Sequence, residues 1–241
     1  MNILEKTLAK KPHGFAYLFD PDKMLKYDRQ AIQRQIEQSA IDFIFIGGST
    51  LETDSFESSV AFFKAQNPNI PVVLFPGSEY QISEQADALL LLSLISGRNP
   101  DFLIGKHVKA ASILSQSSLN IIPTGYILIN GGKTSTVEQI SRTEALSATD
   151  MEGIVNTALA GELLGMQAIY LEAGSGALSP ISLEIIRAVK SKIRIPLIVG
   201  GGITNAQQGI NACQSGADII VVGNAIEQDL ELMSKISNTI P

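Results

Sequence analysis

Short runs rich in β-branched and aromatic residues recur down the whole chain, each closing on turn residues, and stretches with helical periodicity lie between them. That alternation predicts a parallel sheet with crossover helices. The runs are GFAYLFDPDK (apolar core Phe15 to Phe19), DFIFIGGST, PVVLFPGS, DALLLLSLISGRNP, LNIIPTGYILIN, QAIYLEAGSGA, PLIVGGGIT and DIIVVGNAIE. Eight βα units in one chain predict a single TIM barrel, (β/α)8, over residues 1–241. In that fold, function belongs on the loops beyond the C-terminal ends of the strands.

The stretches between the runs predict the helices. MNILEKTLAKKPHG reads as a short leading helix, and Ile32, Ile36 and Ala40 share one face of the next. A later helix carries Phe102, Leu103, Val108, Ala111 and Ile113. Thr149 or Asp150 caps another, with Ile154, Val155, Ala158, Leu159 and Leu163 on one face. Ser179 and Pro180 make a helix start with Leu183, Ile186 and Val189 inward, and Thr204 or Asn205 opens the helix that Gly216 closes. Two regions depart from the pattern. The segment from Pro76 to Asp87 is close to the ~10–12 residue minimum for a crossover, so the third helix should be stunted or irregular. Pro123 and Gly125 predict a bent fifth strand, and the polar stretch GGKTSTVEQISRTEALSATD after it is long for a βα loop and reads as a lid or an oligomer contact.

Composition narrows the function classes. At 45% hydrophobic residues and mean hydropathy +0.19 the chain can bury a large core. A net charge of −6, a pI near 5.0 and scattered Lys and Arg argue against a nucleic-acid partner. Cys213 is the sole cysteine, which excludes an intrachain disulfide and points to a reducing, cytoplasmic compartment. His13 and His107 stand in no zinc or triad spacing. The longest apolar run, Ala88 to Ser96, is about half of the ~20 residues of a membrane span, which leaves only peripheral membrane contact open.

The candidate chemistry sits at strand ends. Tyr170, Leu171, Glu172, Ala173, Gly174, Ser175 and Gly176 deliver a carboxylate onto a turn whose bare amides can bond a phosphate, although glycines also serve any tight turn. Gly201 and Gly202 after the seventh run, with Gly223 and Asn224 after the eighth, occupy the usual phosphate position of this barrel. Asp20 and Ser49 offer a sparse oxygen set suited to Mg²⁺, though Asp-Pro-Asp is as easily a turn. Lys23 and Arg98 could meet a diphosphate, and Phe102 with the segment around Tyr126 could line a groove for a long apolar tail. GGKTS resembles the tail of a P-loop, yet Ile127 stands where the first glycine should, so a Walker A site is rejected.

The ordered set FDPDK, IGGST, SGRNP, PTGYILIN, YLEAGSGA, VGGGIT and VVGNAIE resembles the geranylgeranylglyceryl phosphate synthases, a family that includes the bacterial heptaprenylglyceryl phosphate synthases. The resemblance implies a modified TIM barrel with an abnormal third helix. It implies transfer of a prenyl group from a polyprenyl diphosphate to the C3 hydroxyl of sn-glycerol 1-phosphate, with Mg²⁺ at Asp20 and Ser49. It also implies glycerol phosphate at Tyr170 to Gly176, Gly201, Gly202, Gly223 and Asn224, and Glu172 as base. Leu18 departs from some bacterial members, which carry a lysine there, and the longer YLEAGSGA turn favours a C20 donor over a longer one such as heptaprenyl diphosphate. Apolar helix faces make a homo-oligomer plausible. Two other classes stay open: a phosphosugar isomerase or aldolase on the same barrel, and a non-catalytic prenyl-lipid or phosphate-binding protein.

Overall fold

Eight parallel strands close on themselves in sequence order in the computed structural model, which describes residues 1–22, 28–48 and 55–241. They are β1 Gly14–Phe19, β2 Phe43–Ile46, β3 Val72–Leu74, β4 Ala88–Leu94, β5 Asn120–Leu128, β6 Ala168–Glu172, β7 Leu197–Gly200 and β8 Ile219–Val222, and β1 pairs with β8 to complete the barrel. The helices are α1 Ile3–Leu8, α2 Arg29–Glu37, α3 Ser55–Gln66, α4 Lys106–Leu114, α5 Thr136–Ser141, α6 Met151–Leu163, α7 Leu183–Lys190, α8 Ala206–Gln214, α9 Asn224–Gln228 and α10 Leu232–Ser237.

Side chains alternate across the pleat. Phe43, Phe45, Leu90, Ile122, Tyr126, Tyr170, Ile198 and Ile219 fill the barrel interior, while Phe15, Ile44, Leu74, Ile169 and Leu171 face the helices and meet Ile32, Ile36, Val60 and Ile186. Leu4 of α1 is fully buried against the interior set. Because Ile3 N–H donates to Asn120 Oδ1 (2.8 Å) at the start of β5, α1 closes the N-terminal end of the barrel. The opposite end, where the strands' C-termini lie, is the mouth at which this fold carries its chemistry.

No helix forms between β3 and β4, in accord with the short connection. Other expectations are corrected. A π-turn, Asp101–Gly105, precedes α4 and shifts its phase, so Ala110 and Leu114 turn inward while Val108 and Ile113 are exposed. The helix α6 is capped by Asp150, yet Leu163 near its end faces solvent. Ser182, not Ser179, caps α7, because the preceding loop stays over the mouth: Leu178 N–H donates to Gly131 O at 2.9 Å. The strand β5 is continuous through Pro123 and Gly125, the two residues that predicted a bend, and the Pro123 carbonyl accepts from Gln167 N–H.

Candidate active site

Glu172 ends β6 with its side chain on the interior parity shared by Ala168 and Tyr170, and it is 7% exposed. Its Oε1 accepts the Gly174 N–H at 2.7 Å. Burial pushes its pKa up to about 7, against the pull of that N–H and of the Tyr170 hydroxyl. A carboxylic acid so placed titrates near neutrality, the range in which a general base works well. The Gly201 backbone lies across it with φ +81°.

Tyr170 is fully buried beneath the acid. Its ring stacks on Tyr126, the residue opposite it on β5, with centroids 5.3 Å apart, and Phe75 closes against both. The hydroxyl makes no aligned hydrogen bond, although it comes close enough to Glu172 to help hold that acid ionised. Burial and the Glu172 charge both raise the two phenols well above their usual range, so they remain neutral donors. Leu171 and Ala173 point the other way, into the layer between strands and helices, and can meet a ligand only through backbone.

Beyond Glu172 the turn Gly174, Ser175, Gly176 approaches the loop after β8. Ser175 Oγ and the Asn224 side chain are hydrogen-bonded at 2.9 and 3.1 Å. The loop after β7 joins them, with Gly201 against Glu172 and Gly202 at φ +71°, and Gly223 packs against Leu18, so the loops after β6, β7 and β8 share one face. The helix that Asn224 opens, α9, is only five residues long, which leaves the amides rather than a long helix dipole to attract an anion.

Asp20, 8% exposed, follows the last residue of β1 and lies beside Gly48, with its Oδ1 accepting the Asp22 N–H at 3.2 Å. Among the described residues no three His, Cys, Asp or Glu side chains cluster tightly enough to form a metal cage. A buried carboxylate at this mouth fits a hard cation that keeps waters and shares a diphosphate. Ser49 and Lys23 lie outside the described residues. Arg98 is spent on its own turn, donating to the Ile95 and Gly97 carbonyls at 3.3 and 2.6 Å.

Where the missing helix would have packed, an apolar groove opens along β4. It starts at Gly48, Phe75 and Tyr126, runs between Leu89 and Leu91 of β4 and Ala110 and Leu114 of α4, and is covered by Val137 and Ile140. Phe102 lines it as expected. Lys106, Phe75 and Val137 were not singled out from the sequence. Lys106 donates to Gly77 O at 3.0 Å and sits 4.1 Å from the Phe102 ring centroid, contacts that no local pattern encodes. The polar insertion after β5 thus contains the amphipathic α5, whose apolar side roofs the groove.

Known proteins share this architecture. The chain is 50% identical over 212 residues to the geranylgeranylglyceryl phosphate synthase of Zunongwangia profunda, covering 88% of this chain and 90% of that protein. It superposes on geranylgeranylglyceryl phosphate synthase from Thermoplasma acidophilum, solved in complex with substrate sn-glycerol-1-phosphate, with a TM-score of 0.88 at 29% identity, covering 100% of this chain and 97% of the other. The wild-type enzyme from Thermoplasma volcanium gives 0.87 at 34% identity, covering 99% and 96%. Residues 6–240 match the PcrB family over nearly the entire barrel, and the chain belongs to that family.

Proposed function

We propose that this protein is a prenyltransferase that joins the C3 hydroxyl of sn-glycerol 1-phosphate to geranylgeranyl diphosphate, making the ether bond of a lipid precursor. One observation carries the reading: a buried carboxylate that titrates near 7 lies between a glycine-lined phosphate cradle and an apolar groove at one barrel mouth. The names of the relatives support the same acceptor and a C20 donor. A longer donor such as heptaprenyl diphosphate is the second reading, its tail extending further along the apolar wall of Leu89, Ala110 and Leu114.

The acceptor phosphate rests on the amides of Ser175, Gly176 and Gly202, beside the Ser175 and Asn224 side chains, while the Gly174 N–H stays on Glu172 and the glycerol hydroxyl is directed toward that acid. The hydroxyl oxygen bonds to C1 of the prenyl chain as the C1–O bond to diphosphate breaks, its electron pair leaving with the diphosphate. Glu172 takes the hydroxyl proton. Tyr126, Tyr170 and Phe75 line the junction between groove and acid and present ring faces to positive charge developing on the allylic carbon. Val137 and Ile140 cover the groove and keep water from that carbon. Asp20 would hold Mg²⁺ with Ser49. The ion, when bound, neutralises charge on the departing diphosphate.

An aldolase through a Schiff base needs a strand lysine, and the described barrel strands carry none. No helix among the described residues is long and apolar enough to cross a membrane. Exposed Tyr80, Ile104 and Val108, each within two residues of groove-lining Glu79, Phe102 and Lys106, suit peripheral contact with the bilayer that holds the donor. Leu163 and Leu164 suit a homo-oligomer contact in a cytoplasmic enzyme.

The test incubates purified protein and Mg²⁺ with sn-glycerol 1-phosphate or its 3-phosphate enantiomer, against donors of several lengths. Ether product from the 1-phosphate with the C20 donor is expected. Absence of product from either acceptor with every donor overturns the assignment.

A further inference from the structure

Resting on that reading of the acceptor, one lysine at the cradle has no assigned task. The side chains grouped there, Leu18, Glu172, Ser175 and Asn224, include a carboxylate and no cation, whereas a phosphate monoester brings close to two negative charges at neutral pH. Lys133 reaches this spot from the insertion after β5. Its Nζ lies 3.8 Å from where a Cβ on Gly176 would stand, and Asn224 Nδ2 lies 3.8 Å from the same point. The ammonium and the amide therefore flank Gly176, and its lack of a side chain keeps the space between them open. Among the described residues Lys133 has no ion-pair or hydrogen-bond partner of its own, unlike Lys11, Lys64, Lys109, Lys190 and Lys235, each paired with an acid.

The position is built from both sides. Two residues before it, Gly131 O accepts from Leu178 N–H at 2.9 Å, and Gly131 packs so tightly on Ala173 that a Cβ would stand 2.4 Å from the Ala173 carbonyl. Two residues after it, Ser135 packs on Gly174 at 2.9 Å from the corresponding Cβ position, and is itself fixed by a reciprocal capping box with Glu138. The insertion is thus stapled to the very turn that carries Glu172 and Ser175, with Lys133 between the staples. We propose that Lys133 is the cationic ligand of the acceptor's phosphate and sets the enzyme's affinity for a phosphorylated acceptor.

The test compares Lys133→Gln, Lys133→Arg and, as a distant exposed control, Lys192→Gln, each checked for an unchanged melting temperature. Loss of a charge-assisted contact predicts a KM for sn-glycerol 1-phosphate raised about 10- to 100-fold in Lys133→Gln. The kcat and the KM for the prenyl diphosphate should stay within about twofold, Lys133→Arg should recover most of the loss, and Lys192→Gln should behave as wild type. Calorimetric titration with sn-glycerol 1-phosphate, without donor, should report the same weakening. If the wild-type protein forms ether product while Lys133→Gln keeps the wild-type acceptor KM, or loses only kcat, the lysine's role is refuted and the prenyl transfer stands. If the wild-type protein forms no product, the underlying reading fails first.

Discussion

Gly201 lies directly over the carboxylate of Glu172: a Cβ on it would stand 2.3 Å from Oε1 and within 3.0 Å of the amide nitrogens of Ala173 and Gly174. The contact comes from register, since Glu172 pairs with Gly200 across β6 and β7, and the chain turns immediately after with φ +81° at Gly201. Gly201→Ala therefore meets both backbone strain, roughly 1–3 kcal/mol, and a clash with two backbone atoms that cannot rotate away. We expect turnover reduced by at least about 10²-fold, in line with the cost of a 1 Å misplacement, and a lower melting temperature. A variant with wild-type kcat would show that Gly201 does not fix the acid.

Glu172→Gln is expected to lower turnover by roughly 10²- to 10⁴-fold while folding normally. Because the base must be ionised, wild-type kcat/KM should rise with pH through about 7 and level off above it. Stability should run the opposite way. Between pH 4.5 and about 7 the folded protein holds a proton that the unfolded chain has released, so raising pH weakens the fold, and the weakening is complete above about 7. At 1.36 kcal/mol per unit that is about 3 kcal/mol, and it vanishes in Glu172→Gln. Urea unfolding of both proteins at pH 5 and pH 8 measures it; an equal stability gap at the two pH values would sink the titration argument.

Filling the groove should shorten the donor. Ala110, 5% exposed on α4, lines it with Leu89 and Leu91 opposite. In Ala110→Phe the added ring occupies space meant for the tail, and the ratio of kcat/KM for C20 over C10 donors should fall about 10- to 200-fold, the range for steric discrimination in an apolar pocket. Competition between the two donors reads this directly. An unchanged ratio would place the tail elsewhere.

Chelation should stop the reaction and Mg²⁺ should restore it. Asp20→Asn should lower turnover by about 10²-fold or more at fixed Mg²⁺, given several kcal/mol of charge stabilisation from a bound ion. The measurement is a Mg²⁺ titration of activity. Full activity in the presence of a chelator would remove the metal from the mechanism.

Much of the site was legible because barrel chemistry concentrates at strand ends, and strand ends are local events. Asp20, Glu172, Gly201 and Asn224 could each be placed at the mouth from the residues before them. Arg98 illustrates the limit: it lies beyond the end of β4 as its place in the chain implies, but its guanidinium turns back onto the Ile95 and Gly97 carbonyls, an orientation set by the fold of the turn and not by the residue's identity. Phe75 and Lys106 escaped notice because their significance depends on what faces them. Lys133 is the sharpest case. GGKTS fails as a P-loop, and nothing within the motif indicates that the loop is stapled to a turn some forty residues downstream.

The chain's own residues determined the alternation of strands and helices, the absence of a helix between β3 and β4, and the glycine-rich turns, since periodicity, chain length and backbone freedom act over a few residues. Only tertiary structure decided that the absent helix becomes a groove along β4 and that α5 becomes its roof. It also decided that Glu172 titrates near 7 rather than near 4.5. Those are properties of enclosure: they depend on which surfaces are removed from water when eight strands close, and no single segment of the sequence carries that information.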